Sequence, residues 1–279
     1  MSEGASKKGI IFVFLSAVFF SLAGILMKIN TMSSLTMNGL RCGLAFFVMY
    51  AYMRKVKHKF RFNMVVLLGA FVTFGMSLTF SMANKMTTAA NAIVLQFCMP
   101  AFVILLLWIF WKQKPDKIAV ASVIMSFAGI IFFFLDSLSE GGMAGNLIAV
   151  FSGFLYAVVI LIKKIPKSDF ESSVLLSHLI SFVVGIPAVV QEPSWTPTNI
   201  VTIIVLGIVQ TGLSMVCLNV GLNYVQPVAA SLISMIEPIL NPILVAVFYG
   251  ETMGVISIFG AIIVLGSALF YNLMKSKET

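Results

Sequence analysis

The chain has 279 residues, 60% of them hydrophobic and 10% charged, with a mean hydropathy of +1.06. Lys and Arg number 18 against 10 Asp and Glu, a formal net charge of +8. So apolar a chain leaves little sequence for a soluble domain, and the basic excess follows segment boundaries instead of forming a nucleic-acid face. A membrane-spanning helix needs about 20 apolar residues. Such segments run over 10–28, 35–53, 64–84, 88–111, 117–135, 145–161, 172–190, 199–222, 227–248 and 254–271. The expected fold is all-α and integral to the membrane, with ten transmembrane helices in contact with lipid.

The first segment follows Lys7 and Lys8, as a signal peptide would, but it is too long for a typical signal core and lacks a small-x-small cleavage site. It reads as a retained helix. The second carries Arg41, about 9 Å below its outer end by helical rise, with Asn38 on the same face. Arg41 suits a substrate carboxylate or a pairing with Glu237; its length also lets it snorkel to the outer headgroups, which is the favoured reading. The third holds a polar stripe of Thr73, Ser77, Ser81 and Asn84, and Asn84 is the stronger site candidate. Lys85 reads as an interfacial anchor.

The fourth segment contains Asn91, Gln96 and Pro100. In the sixth, Tyr156 shares a face with Ser152 and suits an aromatic cavity wall. His178 is the histidine within a span, in the seventh, where it suits a proton relay or a hydrogen-bonded packing role. His58 lies in a basic loop and reads as solvated. Gln210 and Ser214 in the eighth read more readily as helix-to-helix contacts. The ninth carries Ser234, Glu237 and Asn241 on one helix face. Glu237 lies about 15 Å from either end of that segment by helical rise. Pro238 and Pro242 each remove a backbone donor there and free a carbonyl one turn back. With Pro100 they are the candidate kink and gating positions. Glu237 has two readings: a substrate or proton site, or a structural carboxylate that fixes the Pro238 kink.

With the N-terminus inside and ten crossings, the inside segments hold Lys7, Lys8, Arg54, Lys55, Lys57, Lys59, Arg61, Lys112, Lys114, Lys117, Lys163, Lys164, Lys167, Lys275 and Lys277, which is 15 of the 18 basic residues. The positive-inside rule then places both termini in the cytoplasm of a multi-pass protein of the cell membrane. Cys42, Cys98 and Cys217 all fall in spans, with no disulfide frame and no zinc spacing.

The chain repeats itself. Pro100 aligns with Pro238, Ala92 with Ala230, and Leu68-Gly69 with Leu206-Gly207, all at offset 138. At offset 136, Gly9 meets Gly145, Ser16 meets Ser152, Phe20 meets Tyr156 and Lys28 meets Lys164. Two units are expected, residues 1–138 and 139–279. Five crossings per unit make the second enter the bilayer from the opposite side, so the units form an inverted repeat.

Ala229-Ala230-Ser231, Glu237-Pro238, Gly250-Glu251, Gly260-Ala261 and Gly266, with Asn91-Ala92, Gln96, Pro100 and Gly129 in the first half, resemble the pattern of EamA-type members of the drug/metabolite transporter superfamily. Trp111-Lys112-Gln113-Lys114 departs from it, standing where members often carry Gly-Glu. The resemblance implies alternating-access transport, often coupled to protons, of substrates that range from amino acids and sugars to nucleotide-related metabolites and cations. The expected function is secondary transport of a small polar metabolite, best an amino acid or a relative, by export and with protons as the candidate coupling ion. Organic cations and sugar- or nucleoside-type compounds are the alternatives. An intramembrane enzyme would need a nucleophile with a base, or a metal cluster; the two histidines lie far apart and the spans hold no paired aspartates. No catalytic, metal-ligating or cofactor-binding set is expected, nor a nucleic-acid partner, and the sequence does not fix the number of copies in an assembly.

Overall fold

The computed structural model describes residues 3–115, 117–140, 142–162, 164–224, 234, 236–250 and 254–276. Ala229, Ala230, Ser231 and Glu251 of the family pattern, and Lys163 and Lys277 of the basic set, lie outside the described residues, as do the side chains of Pro100 and Pro242. The described elements are α1 (Glu3–Ser21), α2 (Ala23–Ile29), α3 (Ser34–Lys55), α4 (Met64–Met86), α5 (Ala89–Gln96), α6 (Met99–Trp111), α7 (Lys117–Glu140), α8 (Met143–Ile162), α9 (Phe170–Val190), α10 (Pro197–Val205), a π-helical stretch (Leu206–Leu213), α11 (Ser214–Leu222), α12 (Ile236–Tyr249) and α13 (Val255–Ser276). No strand occurs among the described residues.

Side-chain caps start many of these helices. Ser33 Oγ accepts from the Thr36 N–H, Asn63 Oδ1 from Val65 and Val66, Thr88 Oγ1 from Asn91, and Thr196 Oγ1 from Asn199. Each satisfies donors that a helix start leaves open.

Among the described residues, six stretches are long and apolar enough to cross a membrane: Lys7–Ile29, Met64–Met86, Ala89–Trp111, Met143–Ile162, Phe170–Val190 and Pro197–Leu222. The α3 helix is long enough but carries Asn38, Arg41, Arg54 and Lys55. Shorter apolar stretches lie in α7, α12 and α13, at Lys117–Phe132, Ile236–Tyr249 and Ile258–Ser267.

Two expected continuous spans are interrupted. The first breaks at Leu22, between α1 and α2, where the Ser21 hydroxyl donates to Val18 O at 2.6 Å. The fourth breaks between α5 and α6, just before Pro100, which stands in the first turn of α6. Pro100 has no N–H for Gln96 O, and that carbonyl instead faces α8 at Gly153. A Cβ on Gly153 would come within 2.7 Å of Gln96 O, so the glycine makes room for the freed carbonyl. Pro238 likewise stands in the first turn of α12, Pro242 lies further along that helix, and Pro187 lies inside α9.

The helices pack across the middle of the sequence. The α3 helix lies on α9, α7 on α13, α4 on α8, and α1 on α11 and α12, with α5 on α8. Ser16 Oγ donates to Ser214 O at 2.9 Å and Ser152 Oγ to Met76 O at 3.1 Å. Ser16 and Ser152 are related by offset 136, and Met76 and Ser214 by offset 138. The same interhelical bond is therefore made twice, with the donor and acceptor halves exchanged.

Two polar clasps lie at the ends. At one, Asn30 donates to Asn199 O and Thr202 Oγ1, while Thr31 N–H donates to Asn199 Oδ1. Lys28 Nζ donates to Thr87 O, and Lys85 Nζ to Asn30 O, so Lys85 ties α4 to the residue after α2. At the other end His58 is not free in solvent. Its Nε2 lies 3.1 Å from both oxygens of Asp169, which caps α9 through the Ser172 N–H. Burial pushes the Asp169 carboxyl up, but bonds from Ser172 and the nearby His58 outweigh it and hold it below the usual carboxylate range. The ionised form is thus favoured in the fold. Its contribution is complete above the unfolded-state value of about 4 and is lost as pH falls through the lower folded value. Asp169→Asn is expected to lower thermal stability by roughly 1 kcal/mol at neutral pH, a deficit that closes in acid. Melting curves of both proteins over a pH series check this.

Candidate functional site

One cavity of about 60 Å³ lies among the helices. At roughly 15 Å³ per water this holds a few water molecules or a compact solute group. Its wall takes residues from both halves, and several come as related pairs. Phe20 and Tyr156 line it at offset 136; Thr73 with Thr211, and Ser77 with Met215, line it at offset 138. The framework of the wall is thus built twice from equivalent positions.

The ionisable groups on the wall do not repeat. Glu237, Arg41 and His178 all line the cavity, with exposures of 7%, 3% and 3%. Position 99, related to Glu237 by offset 138, is a methionine. Among the described residues no cationic side chain is ion-paired with Glu237, and Arg41 does not reach it. A carboxylate buried in an apolar setting is neutralised by a proton or by a bound cation.

Arg41 does not snorkel. It turns into the bundle, where Nη1 donates to Gln210 Oε1 at 3.2 Å and Nη2 donates to Asn38 Oδ1, Ser77 O, Ser77 Oγ and Ser81 Oγ at 2.8–3.1 Å. The polar stripe of α4 supplies half of this cradle, which makes an inward guanidinium cheaper than the sequence alone suggests. Gln210 comes from the π-helical stretch, and Thr211 Oγ1 donates to the same Gln210 Oε1. A π-helical turn changes the angular spacing of side chains, and such turns recur at functional sites. Sequence periodicity gives no sign of it.

Gln96 lines the cavity and donates to Ser152 Oγ at 2.8 Å, next to the Ser152–Met76 bond. Tyr156 lines it as the expected aromatic wall. Three candidates are not on the wall. Asn84 is fully buried and donates to Phe80 O in its own helix, one turn back. Ser234 is half-buried away from the lining. Asn241 packs its amide against Gly24, where a Cβ would meet Asn241 Oδ1. Asn241 stands one helical turn beyond Glu237, far enough for a packed neighbour to claim one end of the shared face. Sequence reasoning does not single out Met76, Thr211 or Met215 as wall residues, because a methionine or a lone threonine in an apolar span reads equally well as packing.

His58, Asp169 and Glu171 also bring ligand atoms within 4.8 Å of one another. Those atoms already have protein partners: Asp169 holds His58 and the Ser172 N–H, and Glu171 accepts from Asn219 at 3.0 Å. Arg61 Nε also lies 3.8 Å from Asp169. The set reads as a staple between the loop, α9 and α11.

The sequence profile of the EamA-like transporter family matches residues 7–135 and again residues 143–273. An uncharacterized transporter of Clostridium kluyveri is 28% identical over 296 aligned positions, covering 96% of this chain and 94% of its own. A solved structure titled only as the crystal structure of a protein has a TM-score of 0.70 over 98% of this chain and 99% of its own, at 16% identity. That last likeness concerns the fold alone.

Proposed function

We propose that this chain, which belongs to the EamA-like transporter family, is a secondary transporter that moves a small polar metabolite through its central cavity by alternating access. A membrane transporter is what the family and the Clostridium relative indicate, in preference to an enzyme. The finer reading rests on one observation. Equivalent positions of two halves line one cavity, and a buried carboxylate with no cationic partner among the described residues opens onto it. Two inverted units, residues 1–138 and 139–279, facing one site supply the two-state geometry that alternating access needs. The exchanged Ser16–Ser214 and Ser152–Met76 bonds support that arrangement, as does the pairing of α3 with α9 and α7 with α13.

In this reading ten helices cross the cell membrane with both termini in the cytoplasm. Glu237 takes either a proton or the cationic group of the substrate, so that the two compete and their movements are coupled. An amino acid or a close relative suits the site, and the direction is export. Gln96 and Tyr156 complete the wall around the solute. A cavity of this size is below the few hundred Å³ of a drug-sized site and suits a compact compound.

The test is flux into and out of liposomes that hold the purified protein, with labelled amino acids, organic cations, sugars and nucleosides, each with and without a pH gradient. Gradient-dependent accumulation of one class supports the reading. Absence of flux for all four classes removes it.

A further inference from the structure

The Arg41 cradle holds a full positive charge without an anion. A guanidinium stays protonated at any physiological pH. The acceptors on Arg41 are Asn38, Ser77, Ser81 and Gln210, all neutral. Among the described residues no carboxylate lies within ion-pair range of it. Neutral acceptors fix the direction of a guanidinium, but they do not cancel its charge, and buried charges in folded proteins are normally paired. Two further observations point to a missing ligand. Arg41 Nε is buried without a hydrogen-bond partner, and so is Nε2 of His178; both side chains line the cavity.

We infer that Arg41, with His178 beside it, is the receptor for a carboxylate group of the compound that enters the cavity. The inference rests on the transport reading of the same cavity and narrows its substrate class. One guanidinium matches a singly charged planar carboxylate, which it can hold through two N–H groups. A phosphate monoester carries more charge than this wall offers cations to meet. Glu237 on the same wall gives a separate place to a cationic group, so a compound bearing both charges uses both ends of the site. A simple amine, a sugar or a nucleoside leaves Arg41 as unpaired as it stands.

The experiment is thermal unfolding of the purified full-length protein with the twenty L-amino acids, each beside its amide and its decarboxylated amine, and with phosphoethanolamine as a phosphomonoester that lacks a carboxylate. A site built to pair a charge rejects the analogue that lacks it, here by about 100-fold in the concentration needed for the same shift. At least one acid is expected to raise the melting temperature with that advantage over its amide and amine. In Arg41→Gln the advantage is expected to vanish, with acid and amide equal within about threefold, while Arg41→Lys keeps part of it. Should Arg41→Gln not fold, the acid-to-amide ratio in the unaltered protein and in Arg41→Lys still decides. Amides or amines that bind as tightly as acids, an acid preference that survives Arg41→Gln, a phosphomonoester that binds best, or no carboxylate binding at all would each overturn the inference. Flux of the same compounds in liposomes separates the two readings. Acid-selective binding without flux keeps the Arg41 receptor and removes transport; flux of amines without acid preference does the reverse.

Discussion

Glu237→Gln is expected to abolish proton-coupled flux and to leave the protein folded. The substitution keeps shape and removes the titrating proton. Glu237 is 7% exposed and lines the cavity. The other titratable groups on that wall are Tyr156, Arg41 and His178, and Arg41 is engaged by its own cradle. Accumulation under a pH gradient should therefore fall to the level seen without one. What flux remains should be insensitive to pH, since the proposed coupling carboxylate is gone. Simultaneous substrate and proton flux in liposomes over the range of about pH 5–8 measures this, with the melting temperature as the check on folding. Coupled flux equal to that of the unaltered protein would return Glu237 to a structural role beside Pro238.

Much of the fold is legible because the bilayer constrains sequence so strongly. An apolar chain punctuated by basic residues leaves helices as the natural reading, and the described residues are helical with no strand among them. The repeat is legible in the Pro100 and Pro238 block but faint in the first helix of each half. Ser16 and Ser152 look like a chance match in the sequence, yet each donates to an equivalent carbonyl of a helix in the other half. A single hydroxyl suffices to hold a helix contact, so selection leaves one residue where an alignment seeks a run. The breaks at Leu22 and before Pro100 differ in the same way. Pro100 announces its break through the missing donor. Leu22 does not, because the Ser21 back-bond to Val18 O needs only an ordinary residue in a local geometry.

The candidate site is most legible where charge is involved. Glu237, Arg41 and His178 stand out because ionisable groups are rare in spans, and all three reach one cavity. The direction of Arg41 is not legible. Snorkelling and turning inward differ only in what waits at the far end, and here that is Gln210 on the π-helical stretch together with Ser77 and Ser81. Asn84 continues the stripe of α4 in sequence but closes on Phe80 O. A stripe shows which face turns inward and does not show where along that face the packing opens.

That opening depends on how closely α3 and α9 approach, and the approach is set by two glycines. A Cβ on Gly39 would lie 2.9 Å from Gly185 Cα, and one on Gly185 would lie 2.7 Å from Gly39 Cα. The neighbours repeat the exchange: the Gly39 Cβ would meet Ser181 O, and the Gly185 Cβ would meet Leu35 O. Backbone stands on backbone, so no flexible side chain can give way. In a helix interior alanine gains about 1 kcal/mol over glycine in propensity. Overpacking costs about 1–3 kcal/mol, and at this crossing the whole helix must move to relieve it, so the loss should win. Gly39→Ala and Gly185→Ala are each expected to lower the melting temperature by several degrees, and leucine at either position to prevent recovery of folded protein. The two alanines together should cost less than the sum of the singles, because the first Cβ already separates the helices and the second enters the gap. A double-mutant cycle in detergent reads this directly. Additive losses, or alanines that stabilise, would mean that α3 and α9 do not cross at these residues. The wall that joins Arg41 on α3 to His178 on α9 would then need another geometry.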